Sequence, residues 1–292
     1  MSHPAAAALL NFCAFLSPDA IPESIITSGA PYLGNALASA VADPIQFDLL
    51  CKEVLKYSLF QREPDTETLT IHRLVQAVLQ DHLSPETCVD WKQRAVLAVN
   101  EASPDVGAAR KWAVCEQWVP HALLCATWIE QEQISSREAA HLLNVAGYYL
   151  DERGRYRETE PLYVRALSIH ERQLGMEHPD TASSFNNLAA LYESQGKYGE
   201  AEPLYKRALW IRERQLGEKH PDTAGSLNNL AGLYRHQGRY AEAEALYKRA
   251  LLIYGRQLGA EHSGTARCLN NLAVLYESQG KYEEAEPLYE KP

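Results

Sequence analysis

The stretch FNNLAALYESQGKYGEAEPLYKRAL, Phe185 to Leu209, returns 42 residues later as LNNLAGLYRHQGRYAEAEALYKRAL and again as LNNLAVLYESQGKYEEAEPLY. A catalytic site has to be built only once. A unit repeated in register instead buries its apolar face by stacking on its neighbours. The chain is therefore constrained to an array whose function lies on a surface made by successive copies. Aligned on Gly154, Gly196, Gly238 and Gly280, four copies keep one 42-residue period.

Each copy reads as two helices. In copy two the first runs from about Asp180 to Gln195: Pro179 blocks backward extension, Asp180 can cap free amides, and Gly196 accepts the left-handed conformation that ends it. The second begins near Tyr198, buries Ala201, Leu204, Tyr205, Ala208 and Leu209 at i, i+3, i+4, i+7 and i+8, and ends at Gly217. Small alanines let the two helices approach closely. Pro161, Pro203 and Pro287 fall inside the second helices, where they predict a bent first turn and not a break. On the first helix, Leu188, Ala189 and Tyr192 share one side, while Asn186, Asn187, Ala190, Glu193 and Ser194 fall broadly opposite, away from the core. His178, His220 and His262 recur in the loops between copies. One whole copy apart, they cannot share a metal ion, and loop packing or capping is their expected role.

The pattern L-A-x-x-Y-x-x-x-G-x-Y-x-x-A-x-x-x-Y-x-x-A-L, carried by Leu188, Ala189, Tyr192, Gly196, Tyr198, Ala201, Tyr205, Ala208 and Leu209, resembles the tetratricopeptide repeat. The 42-residue period, N-N-L-A in the first helix and L-G-x-x-H-P-D-T-A between copies resemble its kinesin light chain subtype, which also occurs in large bacterial signalling proteins. The resemblance implies a mainly α solenoid over residues 135–292 whose first helices line a concave groove, with asparagines there holding the backbone of an extended peptide. An amide side chain suits that task because it both donates and accepts. The candidate partner-binding residues are Asn144, Asn186, Asn187, Asn228, Asn229, Arg235, His236, Arg267, Asn270 and Asn271. The other reading of these asparagines is that they bond to the neighbouring copy and stabilise the stack. Copy one departs from the pattern at Val145, and copy four reaches Pro292 in mid-helix without a polar cap.

Ahead of the repeats, AAAALLNFCAFL, a short segment after Pro22 and PIQFDLLCKEVLKYS read as helices. SLFQR and TLTIH, joined by the turn-rich E-P-D-T-E, read as one β-hairpin, and RLVQAVLQDHL as a further helix. Helices followed by a two-stranded wing resemble the winged-helix domain of the STAND signalling ATPases (the NB-ARC group). There a helical connector, matched here by WKQRAVLAVNEA and CEQWVPHALLCATWIE, leads into repeats. The expected boundaries are 1–83 for the winged-helix-like domain, 84–134 for the connector and 135–292 for the repeats. In TIHRLVQ, Ile71 and His72 match an M-H-D-like motif whose histidine, in that family, faces the phosphates of bound ADP; Arg73 replaces the acid. His72 is thus either a vestigial nucleotide contact or a cap at a strand-to-helix junction. No G-x-x-x-x-G-K-[ST] occurs in the chain, so a nucleotide-binding domain would have to be a separate or missing one, and no cofactor is expected.

Composition narrows the function further. The chain is 46% hydrophobic and 23% charged, with 28 basic and 38 acidic residues among 292. Residues 135–292 hold 20 basic and 22 acidic side chains, leaving 8 and 16 for residues 1–134. A front part of net −8 with an acidic wing argues against DNA binding through the winged helix, and the balance as a whole against nucleic acid or anionic membranes. Six cysteines without a C-x-x-C pair read as reduced thiols in the cytoplasm. The opening apolar run lacks a basic flank and is too short to span a bilayer. No G-x-S-x-G, H-E-x-x-H or zinc spacing is present, so the expected molecule is a non-enzymatic interaction module for a peptide or partner protein, the sensor part of a STAND-type signalling protein. The alternative is a nucleotide-dependent switch component that works with an ATPase domain outside this chain.

Overall fold

The computed structural model describes residues 4–56, 60–104 and 112–289. The chain forms two compact units, Met1–Gly154 and Arg155–Pro292, parted between the two helices of copy one.

The first unit opens with α1 (Pro4–Cys13), β1 (Ile21–Pro22), α2 (Glu23–Gly29), a short 3-10 turn (Ala30–Tyr32), α3 (Asn35–Val41) and α4 (Pro44–Leu55). The hairpin of β2 (Phe60–Glu63) and β3 (Thr68–Ile71) follows, then α5 (Arg73–Asp81). Leu59 and Ser58, the first residues of the expected SLFQR strand, lie outside the described residues. The expected hairpin is present, and a third strand joins it: the sheet order is β1-β3-β2, antiparallel throughout, with Ile21 opposite Leu69 and Phe60 opposite Ile71. Two residues ending in proline carry no alternation to read, so β1 has no periodic signature. The wing is tied to the helices by Arg62, whose Nε and Nη2 donate to both oxygens of Glu23 at 2.6 and 2.9 Å while Nη1 reaches Asp48. Glu23, then Asp48, raise the Arg62 guanidinium above its ordinary range against the opposing pull of burial.

Among the described residues this unit continues with α6 (Pro85–Glu101), α7 (Trp112–Gln131) and α8 (Arg137–Glu152). Ser84 and Ser136 cap α6 and α8 by accepting from Thr87 N and Ala139 N. Trp118 Nε1 donates to Val99 O at 2.8 Å, joining α7 to α6 with the indole buried and its polar atom satisfied.

The second unit is seven helices in series: α9 (Tyr156–Leu174), α10 (Pro179–Ser194), α11 (Tyr198–Gln215), α12 (Pro221–His236), α13 (Tyr240–Gln257), α14 (Ser263–Ser278) and α15 (Tyr282–Tyr289). Each first helix (α10, α12, α14) packs on the second helix of its own copy and on that of the copy before, and α10 also touches α12 as α12 touches α14. Capping differs from the expected Asp180: His178, His220 and His262 are the N-caps, their Nδ1 accepting from Asp180 N, Asp222 N and Gly264 N at 3.1, 3.1 and 3.0 Å. The prolines following His178 and His220 occupy the first helical position, where no N–H is needed. Helices α9, α11 and α15 continue through Pro161, Pro203 and Pro287.

One contact recurs at every junction between copies. Tyr192, Tyr234 and Tyr276 donate their hydroxyls to Glu160, Glu202 and Glu244 of the preceding second helix, at 3.1, 3.3 and 3.1 Å. A cation lies over each ring: Lys197, Arg239 and Lys281 at 5.3, 3.7 and 5.6 Å from the centroid. At the central junction Lys206, then Arg239 and Gln237, hold the Glu202 carboxyl down at about 2. Polar atoms on the outer edge of a dry alanine-rich interface fix the rotation of one copy on the next, which close-packed alanines alone would leave loosely specified.

Candidate functional site: the first-helix face of the repeats

The two asparagines of each N-N pair part company. Asn186 and Asn228 are only 5% and 4% exposed, contrary to the expectation that both amides face away from the core. Their burial follows from the side-by-side packing of α10 with α12 and α12 with α14, which gives a first helix a second covered side. There Asn186 Nδ2 donates to Ser226 Oγ at 3.0 Å, and Asn228 Oδ1 accepts from Asn271 Nδ2 at 3.1 Å. Asn270, with no described first helix beyond it, is exposed, whereas Asn187, Asn229 and Asn271 are half-buried at one position of three successive helices. Asn144 is half-buried on α8 of the first unit.

Arg235 and His236 belong to a cluster that joins copies two and three. An arginine can only donate, so its 2.7 Å contact makes His236 Nε2 the acceptor and places the ring proton on Nδ1, which donates to Glu193 Oε1 at 2.8 Å. Tyr205 donates to the other Glu193 oxygen at 2.8 Å, and the Tyr198 ring stacks near His236 with centroids 6.2 Å apart. Burial pushes the neighbouring Tyr247 hydroxyl up to about 12 although Arg235, bonded to it, pulls the other way.

Nearer the start of the helices is a cationic notch that the sequence pattern did not reveal. Arg212, on the second helix α11, reaches between two first helices: Nη1 donates to Asp222 O and Ser226 Oγ, and Nη2 to Ser183 Oγ, each at 3.0 Å. All three partners are hydroxyl or carbonyl oxygens, Nε is buried without a partner, and burial lowers the guanidinium's pKa. Gly225 packs closely beside it: a Cβ there would stand 3.3 Å from the Tyr254 hydroxyl, a tight contact, and 3.8 Å from Arg212 Nη1. Tyr254 in turn bonds to the exposed Arg267. Asp222 and Asp180 are near enough to favour the charged Arg212 guanidinium against its burial. The only signal in the sequence is a single varied position, His170, Arg212 and Tyr254 in successive second helices, in elements whose periodic residues read as core.

His72 is a helix cap. Its Nδ1 accepts from Leu74 N at 3.2 Å at the start of α5. Among the described residues no group of three or more His, Cys, Asp or Glu side chains could hold a metal ion, and no helix is long and apolar enough to cross a membrane.

The tetratricopeptide repeat profile matches residues 137–214, 185–251 and 222–291, together just over half of the chain. The chain belongs to the tetratricopeptide repeat family. Residues 1–88 match a domain of unknown function, DUF7779. A nucleotide-binding leucine-rich repeat (NLR)-like protein of Hyaloscypha variabilis is 35% identical over 188 residues, which are 63% of this chain and 17% of that protein. The chain thus spans about a sixth of the length of its curated relative. Among solved structures, BtubC (BKLC) from P. vanneervenii superposes with a TM-score of 0.53 at 20% identity, covering 73% of this chain and 82% of that one. The kinesin light chain TPR-like repeats of Podosopora anserina give 0.52 at 23% identity, covering 66% and 92%. These likenesses bear on fold: a tetratricopeptide array of the kinesin light chain kind, which as an architecture serves protein interaction.

Proposed function

We propose that the first-helix face of residues 155–292 holds an extended segment of a partner protein, gripped through its main chain by Asn187, Asn229 and Asn271. The observation that carries this reading is a recurring position: Asn186 and Asn228 are buried in the stack, while the residue after them and its equivalent in the last copy, Asn187, Asn229 and Asn271, are half-buried at one position of three successive helices. The similarity to an NLR-like protein of far greater length supports a place for the chain as the sensor part of a nucleotide-dependent signalling protein, without catalysis of its own. Six free cysteines, five of them buried, suit the reducing cytoplasm.

Asn271 also serves the stack through Asn228, so the test uses Asn187→Ala/Asn229→Ala. Ten-residue peptides selected from a random display library on the wild-type chain are titrated against the variant. Each lost hydrogen bond is worth about 0.5–1.5 kcal/mol, so binding is expected to weaken about 5- to 150-fold with the thermal melt preserved. Equal affinity for both proteins assigns the asparagines to the stack and ends the reading.

A further inference from the structure

Helix α5 is mounted with its apolar side outward. At about 100° per residue, Leu74, Ala77, Val78 and Asp81 share one side, and Gln76 lies opposite. It is the glutamines that face inward: Gln76 Nε2 donates to Cys13 O and Leu16 O at 2.9 and 2.8 Å, and Gln80 Nε2 donates to Ala14 O. Those carbonyls lie at the end of α1 and in the turn after it, and Cys13 O also accepts from Leu16 N at 3.3 Å. With the glutamines inward, Leu74 and Val78 are turned to solvent, 70% and 56% exposed, while Val75 and Leu79 are half-buried. Helix α4 of the same unit likewise exposes Ile45 and Leu49. Leu74 and Val78, one helical turn apart, make a contiguous apolar strip on α5, the kind of surface that association can cover.

We propose that this face of α5 is a self-association surface, covered by the α5 of a second copy lying antiparallel across a two-fold axis near Ala77. Charge decides between occupants. Arg73 and Asp81 stand four residues to either side of Ala77, so an antiparallel pair sets Arg73 of each copy against Asp81 of the other, two ion pairs made at once, and a parallel pair sets like against like. Among the described residues Arg73 has a 3.6 Å contact with Asp19, both side chains being well exposed. Ala77 at the axis allows close approach, Leu74 and Val78 fill the layer on either side, and antiparallel helix dipoles attract. A face nine residues long is a small interface, so the dimer is a weak one.

Sedimentation equilibrium of the full chain from about 10 to 300 micromolar tests this, a range that brackets dissociation constants typical of small interfaces. A monomer–dimer equilibrium is expected, with Leu74→Glu raising its dissociation constant at least about tenfold. Arg73→Asp alone should weaken it, and Arg73→Asp/Asp81→Arg should restore it, because the swapped charges are again complementary across the axis. A helical circular dichroism spectrum equal to wild type establishes that each variant is folded. A chain monomeric throughout, a dimer indifferent to Leu74→Glu, or a double swap no better than the single one each overturns the proposal.

Discussion

His178, His220 and His262 each turn Nδ1 toward the amide two residues on, and in every case a threonine one residue further along, Thr181, Thr223 or Thr265, donates to the glycine carbonyl that ends the previous helix. The loop between copies is thus a two-bond clasp, one bond for each helix end, in which the recurring histidines take the capping role expected of them and the threonines add the second bond. An N-cap acceptor is worth about 0.5–2 kcal/mol. His220→Ala is expected to cost about 1 kcal/mol in a urea unfolding curve, and His220→Asn, which keeps an acceptor at the cap, to cost less. If alanine and asparagine are equally damaging, the histidine is there for packing and not for its lone pair.

At the scale of elements, the repeat helices were legible because successive copies carry the same apolar period: in copy two the first helix begins and ends one residue before its expected bounds, and the second begins at Tyr198 as expected and has its last helical residue, Gln215, two before Gly217. What escaped was determined by tertiary contact alone. Strand β1 is two residues long, α5 shows its glutamines to the interior, and Asn186 and Asn228, each the first amide of its pair, are buried against the next first helix. Gly29 is a further case. Nothing around it in ITSGAPY distinguishes it from a turn glycine, yet α2 lies so close to α6 that a Cβ on Gly29 would stand 2.4 Å from the Ala98 Cβ and 2.9 Å from its Cα. The obstacle is backbone as well as side chain, so the helices themselves must part. Gly29→Ala is expected to destabilise the chain by about 1–3 kcal/mol despite the better helix propensity of alanine. Thermal melts of Gly29→Ala against Gly199→Ala, where nothing stands within 4 Å, separate crowding from propensity, and equal melting temperatures would place α2 elsewhere.

Across the whole molecule, acid acts differently on the two units. His121 is wholly buried in the first, its Nδ1 without a partner and its Nε2 3.4 Å from Ala20 O, and burial lowers its pKa from 6.5 to about 4. The unfolded chain therefore takes up a proton before the folded one does. Stability carried by the neutral ring is fully present above pH 6.5 and is lost as pH falls toward 4, to a total of about 3 kcal/mol. Asp151, in the same unit, works against this. Burial, then Glu152, raise its carboxyl from 3.8 to about 6, so protonation relieves a cost as pH falls from 6 toward 3.8. In the second unit Glu202, held at about 2, keeps its contribution until pH drops below the ordinary carboxylate value of 4.5. Four of the five tryptophans, Trp91, Trp112, Trp118 and Trp128, lie in the first unit and only Trp210 in the second, so tryptophan fluorescence reports mainly the first unit and helical circular dichroism both. Between pH 6.5 and 5, above the range in which ordinary carboxylates titrate, the urea midpoint read by fluorescence is expected to follow His121 and Asp151. His121→Gln should leave that midpoint level or rising on acidification, and Asp151→Asn should make it fall more steeply than in wild type. A wild-type slope that neither substitution changes would mean that the buried imidazole and the buried carboxyl do not govern the acid response of the first unit.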